Sequence, residues 1–275
     1  MHRSLGRLLR KTLRRVRPPS DTQLVSVADQ LVEQDHDLGI PPIVFQTAES
    51  RLVHPSHAKA IRAFREINPS LSFVLFDGRG GEYHARLEWL EKRRARARIE
   101  AFVEREAEAP VAVTLLQAIS KGERMDYAVQ KATELGVARL VPVISERCVV
   151  RLDAGRWARK QRHWQAVAVA ACEQCGRNRI PPVDLACSLD DALAAVADLP
   201  GVIFDTEGDR SAHDLEPAPR LATLIGPEGG LAPGEIERLA ALGWPRVRLG
   251  PRILRSDTAP VAALAVLQTV MGDLG

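Results

Sequence analysis

Apolar and polar positions change period along this chain, and the changes mark its elements. From Val111 onward, short apolar blocks alternate with amphipathic stretches. Val111–Leu116 reads as a buried strand. A helix follows from about Arg124 to Leu135 and stops at Gly136, a residue suited to the left-handed position after a helix. Val137–Ile144 is a strand and residues 155–175 a long helix. Strands near 201–205 and 222–225 flank a loop. A helix covers 233–241, Val247–Leu249 is a short strand, and a last helix runs from Asp257 to Val270. Strands alternating with helices specify an α/β fold, a mostly parallel sheet covered by helices.

The front reads differently. Residues 20–38 are polar and linker-like. Ile40–Thr47 is a strand entered through prolines, and a helix follows at His57–Ile67. Asn68-Pro69-Ser70 ends that helix, and Leu71–Asp77 is a second strand, completing a β-α-β unit. Gly78–Gly81 forms a tight turn, Glu82–Trp89 another strand, and 91–109 a charged segment. Ahead of all this, Leu5, Leu8, Leu9, Leu13 and Val16 form one helical stripe among arginines. Such a stripe suits a surface-seeking amphipathic helix and also resembles a transit peptide.

The 275 residues are 45% hydrophobic and 27% charged, which excludes a disordered chain, and no apolar run is long enough to span a bilayer. The net charge of +3 names no partner. Its distribution is more telling: residues 1–20 carry seven Lys/Arg and no acid, and Lys92–Arg98 is a second basic run. Such clusters suit either phosphate contact or a solvated face. The cysteines, Cys148, Cys172, Cys175 and Cys187, do not resemble a secreted disulfide framework. The pair Cys172/Cys175 lacks the second pair or histidines that zinc requires, so no metal is expected. A reducing, cytoplasmic setting fits.

Two loops carry the candidate chemistry. Leu224–Leu231 leaves a strand and precedes a helix, with three glycines and a proline in the stretch Gly226–Gly230. Leu249–Ala259 also joins a strand to a helix. Ligands of open α/β sheets bind where such loops gather, at the carboxyl ends of strands. No G-x-G-x-x-G and no G-x-x-x-x-G-K-[ST] is present, so dinucleotide and P-loop readings lack support.

IGPEGG followed by LGPRILRSDTA is similar to the paired signature of the SPOUT methyltransferases that modify N3 of a uridine in 16S ribosomal RNA of the small subunit. Lys121–Asp126, Gln130–Val137, Ser145-Glu146-Arg147 and Ala171–Arg177 resemble further motifs of that family, in order. The resemblance covers roughly residues 76–275. It implies a trefoil-knotted α/β domain over 107–275, a homodimer formed through that domain, S-adenosylmethionine as cofactor and ribosomal RNA as partner, with no membrane. By position, Leu224, Gly226, Gly230, Leu249, Gly250, Ile253, Leu254 and Thr258 would form the cofactor pocket. The chemistry asks for a cation facing the oxygens of a deprotonated uridine. Arg255 is the first candidate, then Arg147 and Arg177, with Glu228 or Asp257 helping proton removal. The family carries glutamate where Asp257 stands.

That family opens with a β-barrel of PUA type that grips RNA, and its early part has no counterpart here. Residues 40–77 instead resemble the start of glycosyltransferases with a DXD motif, although no such motif follows. The expected order is a basic leader and linker over 1–38, a glycosyltransferase-like β-α-β fragment over 39–77, a truncated PUA-like β remnant over 78–106, and the methyltransferase domain over 107–275. A SPOUT enzyme with another RNA target, a glycosyltransferase-related chain and a catalytically impaired RNA-binding fusion stand as alternatives.

Overall fold

The computed structural model describes residues 22–24, 45–47, 50–53, 72–90 and 95–275. The basic leader, the helix expected at His57–Ile67 and Lys92–Arg94 lie outside them. The chain divides into two compact units, Met1–Arg105 and Glu106–Gly275.

The second unit is built on a parallel sheet. Its strands are β7 (Ala112–Ala118), β8 (Arg139–Ile144), β9 (Cys187–Ser188), β10 (Gly201–Phe204), β11 (Arg220–Ile225) and β12 (Arg246–Val247), in the spatial order β12-β10-β11-β7-β8-β9. All five pairings are parallel. Central β7 is buried at every position after Ala112, as a strand covered on both faces must be. Its neighbouring leucines enter different cores. Leu115 joins the cluster made with helices α1 (Arg124–Glu134), α2 (Ala154–Cys175) and α5 (Ala259–Met271). Leu116 joins the cluster under α3 (Leu189–Ala194) and α4 (Pro233–Ala241). The result is three layers, helices on both faces of one sheet.

Local chemistry sets the helix ends. Helix α1 buries Met125, Ala128, Val129, Ala132 and Thr133, one stripe at helical spacing. It ends at Leu135, and Gly136 follows at φ +80°, where a side chain would also meet Ala109. Helix α2 begins with the Asp153 carboxylate accepting the Arg156 N–H at 2.9 Å and ends at left-handed Gly176. The Trp164 indole N–H donates to Asp126 at 3.1 Å, which fixes α2 against α1. Cys172 and Cys175 are ordinary residues of the last turn of α2. Burial pushes both thiols up, Cys172 to about 12, so neither is a ready nucleophile.

The first unit corrects the reading of the front. Six strands form one mixed sheet: β1 (Thr22–Leu24), β2 (Phe45–Thr47), β3 (Ser50–Val53), β4 (Ser72–Leu75), β5 (Glu82–Leu90) and β6 (Ala95–Val103), ordered β1-β4-β5-β6-β3-β2. A β-α-β unit would set β2 beside β4 in parallel. Instead β2 turns back antiparallel onto β3 at one edge, while β4 pairs with β5 and β1 near the other. These pairings give the glycosyltransferase-like fragment no support. Residues 78–106, expected as a remnant, supply the two central strands.

The segment 91–109, read as merely charged, contains β6. The reason is its period. Ala97 is fully buried while Arg98 and Glu100 point outward, so the charges are one face of a strand. They pair diagonally across the β5–β6 hairpin: Arg86 donates to Glu100 at 2.6 Å and Arg98 to Glu88 at 2.8 Å.

One close approach shapes the second unit. A Cβ on Gly208 would lie 2.7–2.9 Å from the backbone of residues 246–248. Backbone cannot swing aside as a side chain can. Gly208→Ala should therefore destabilise the protein by about 1–3 kcal/mol, as overpacking does, seen as a lower melting temperature; an unchanged melting temperature would show that the two segments part easily.

Candidate cofactor site

The loops that follow β10, β11 and β12 all leave the same end of the sheet, the carboxyl end. Together they surround a cavity of about 850 Å³. Its walls include Phe204 at the end of β10, Asp205 and Glu207 after it, Gly226–Leu231 after β11, and Ile253–Ser256 after β12. The two loops singled out in the sequence are thus adjacent, on one cavity.

The β11 loop supplies a floor of backbone. Gly226, Gly229 and Gly230 line the cavity, and Gly230 is left-handed at φ +69°. A Cβ on Gly226 would meet only ordinary contacts, 3.4 Å to Leu231. The fold thus tolerates more than glycine there. Glu228 ties this loop to the start of α1: it accepts from the Arg124 guanidinium at 2.8 Å and the Lys121 N–H at 3.4 Å. Burial alone would raise its pKa. Its own N–H, Arg124 and Lys121 outweigh that and hold the carboxyl below its ordinary value. So engaged, Glu228 is a weak proton acceptor. On the opposite wall Arg246 pairs with Asp205 at 2.7 Å and Glu207 at 3.3 Å.

The candidate residues separate into groups. Gly226, Gly230, Ile253 and Leu254 line the cavity. Leu224 and Leu249 do not; Leu224 is fully buried in the core under α3 and α4, and Leu249 packs against the core on the other face of the sheet. Gly250 turns the β12 loop at φ +86°, and Thr258 immediately precedes α5, donating its N–H to the Arg255 carbonyl at 2.9 Å. Among the arginines, Arg255 and Arg147 are on the cavity wall. Arg255 is exposed and donates to Asp257 at 3.1 Å; Arg147 donates to the Gly229 carbonyl at 2.9 Å. Asp257 stands behind Arg255, outside the lining, with its other oxygen buried and without a hydrogen-bond partner among the described residues. Arg177 lies elsewhere. Its side chain is only 4% exposed, and its guanidinium is committed to Glu108 at 3.0 Å and the Thr133 carbonyl at 2.8 Å.

Sequence reasoning missed Phe204–Glu207 and Arg246, and it gave no role to Arg124 and Ser256, although both lie in stretches it singled out. Asp205-Thr206-Glu207-Gly208 does follow a strand, but without a glycine cluster it reads as a plain turn. Among the described residues no three His, Cys, Asp or Glu side chains gather to hold a metal.

A parallel sheet with a glycine-floored cavity at its strand ends is a general ligand-binding arrangement, and the class is set by the sequence: residues 107–268 match the family model of the RNA methyltransferase domain. The chain belongs to the ribosomal RNA small subunit methyltransferase E family within that class. It is 36% identical over 169 residues to the Buchnera aphidicola protein of that name, covering 61% of this chain and 69% of the relative. It is 34% identical over 222 residues to the Mycobacterium bovis protein, covering 77% and 82%. Among solved structures, the Neisseria gonorrhoeae ribosomal RNA small subunit methyltransferase E, bound to S-adenosyl methionine, superimposes with a TM-score of 0.77 at 36% identity. That match covers 84% of this chain and 96% of the other, more of this chain than the second unit alone holds.

Gly226→Val should leave the melting temperature near that of the parent protein while weakening S-adenosylmethionine binding at least tenfold, read by calorimetry. Equal affinity would place the ligand elsewhere. Glu228→Gln should loosen the same loop. It should lower turnover by much less than the ~10²–10⁴-fold that loss of a general base costs. A larger loss would make Glu228 the base.

Proposed function

We propose that this chain transfers the methyl group of S-adenosylmethionine to N3 of a uridine in 16S ribosomal RNA of the small subunit. The observation that carries the reading is the junction of the β11 and β12 loops on one cavity, in a chain similar to a relative solved with that cofactor.

The lining suits the cofactor. Phe204, Ile225, Leu231, Ile236 and Leu254 give apolar surface for a base, and Gly226–Gly230 lets backbone approach closely. Glu237 brings negative charge to a cationic ligand, Asp205 and Glu207 being paired with Arg246, and the buried Ser256 hydroxyl has no hydrogen-bond partner among the described residues. Bound there, S-adenosylmethionine supplies an electrophilic methyl group. The chain supplies position and charge. Uridine N3 reacts once its proton leaves, and the anion spreads onto O2 and O4. Arg255, braced by Asp257, and Arg147, braced by Gly229, are the wall cations that meet those oxygens.

Further features belong to the same proposal. The close backbone crossing at Gly208 fits a chain threaded as a trefoil knot. Helix α5 is apolar nearly all round, yet Val261, Val266 and Val270 stay only partly buried within one chain, which suits a homodimer meeting through this helix. The strand-built first unit is read as the PUA-like grip on RNA. No described helix is long and apolar enough to cross a membrane, and the four cysteines are unpaired, which suits work in the cytoplasm.

The test is methylation of small ribosomal subunits that lack the modification, with the product base mapped. The expected product is N3-methyluridine at one site; methyl on another atom or another RNA sinks the assignment. Arg255→Ala should keep cofactor affinity within about threefold and lower kcat by about 10²-fold. Parallel loss of both would make Arg255 a pocket residue.

A further inference from the structure

Glu235 sits in the first turn of α4 and is 1% exposed. Its carboxylate is shared between two loops. One oxygen accepts the Ala232 N–H at 2.8 Å, which caps α4. The other accepts the Glu146 N–H at 2.9 Å, from the segment that leaves β8. No ion pair reaches it among the described residues, so two backbone N–H groups and the positive end of α4 carry its charge.

Burying a carboxylate is costly unless each oxygen is used. Capping alone needs less. In the turn at Ala212–Asp214 the shorter Asp214 performs the same capping, accepting the Ser211 N–H at 2.9 Å. The extra methylene of Glu235 is what reaches Glu146. The residue after Glu146 is Arg147, whose guanidinium donates to the Gly229 carbonyl at 2.9 Å. The segment Ser145–Arg147 is thus fastened to the cofactor loop at two points, one through Glu235 and one through Arg147 itself.

We propose that Glu235 is a positioning residue for methyl transfer, clasping Ser145–Arg147 to the loop Gly226–Ala232 so that Arg147 is held on the cavity wall. The clasp rests on the reading of that cavity as the methyl-transfer site. Glu235 is not part of the cavity lining and acts through Arg147.

The test uses the full chain and the variant Glu235→Asp. This keeps the charge and, on the precedent of Asp214, the α4 cap, but falls short of Glu146. The melting temperature should drop by no more than about 4 °C, the scale of a 1 kcal/mol change. S-adenosylmethionine affinity should change less than about threefold, while kcat on small ribosomal subunits falls about tenfold. In an Arg147→Ala background the same change should cost less than about twofold, because neighbours that act as a unit do not add. Amide exchange at Glu146 should speed up while that at Ala232 holds. If Glu235→Asp does not fold, Glu235→Gln, which keeps the length but offers a single acceptor, is put through the same cycle. Full activity in the single variant, or an equal cost in both backgrounds, overturns the clasp. A parent protein that binds no S-adenosylmethionine overturns the underlying reading instead.

Discussion

Main chain lying directly on main chain leaves no room for a Cβ, and the second unit depends on one such contact. At Gly208 the loop leaving β10 lies against β12 and the residue after it. Hydrogen bonds stitch the approach on both sides: the Asp205 N–H donates to the Val247 carbonyl at 2.9 Å and the Arg248 N–H to the Arg210 carbonyl at 3.1 Å. The Arg246–Asp205 ion pair closes the same seam. Because the β10 and β12 loops are held this tightly, the β11 loop, which follows the strand next to β10, meets a fixed wall on that side. The cavity follows from that confinement.

Within the second unit most of the fold was legible, because its elements are long, periodic and locally capped. Gly136 and Gly176 end helices in the left-handed conformation that only a glycine adopts cheaply. The order of the strands was not legible. Nothing in the run Arg220–Ile225 says that it inserts between β7 and β10, since that choice is made by contacts far apart in sequence. The site was half legible for the same reason. Glycine-rich loops announce themselves, whereas Arg246 and Glu207 enter the wall only through the fold.

The front shows the opposite failure. Prolines and a short apolar run at Ile40–Thr47 invited a parallel unit, and the period-2 pattern of β6 was hidden because its polar face is wholly charged. Arg96, Arg98 and Glu100 alternate with Ala97, Ile99 and Ala101, a pattern easily taken for a solvated basic run. Once β6 is a strand, Arg98 has a glutamate diagonally across the hairpin, and the basic run is partly spent within its own sheet.

The strand order also bears on how the chain assembles as it is made. Strand β10 touches only β11 and β12, both synthesised after it. Until β11 emerges, β10 has no neighbour in the sheet and its two edges are bare. The β7–β8 pair and the helices between can settle early, but the half of the sheet that holds the cavity must wait for residues near 247. Non-local pairing of this kind is slow and leaves hydrophobic edges open meanwhile. A nascent chain stalled between Phe204 and Arg220 would therefore leave both edges of β10 without a partner strand, a window in which a chaperone would find its binding site.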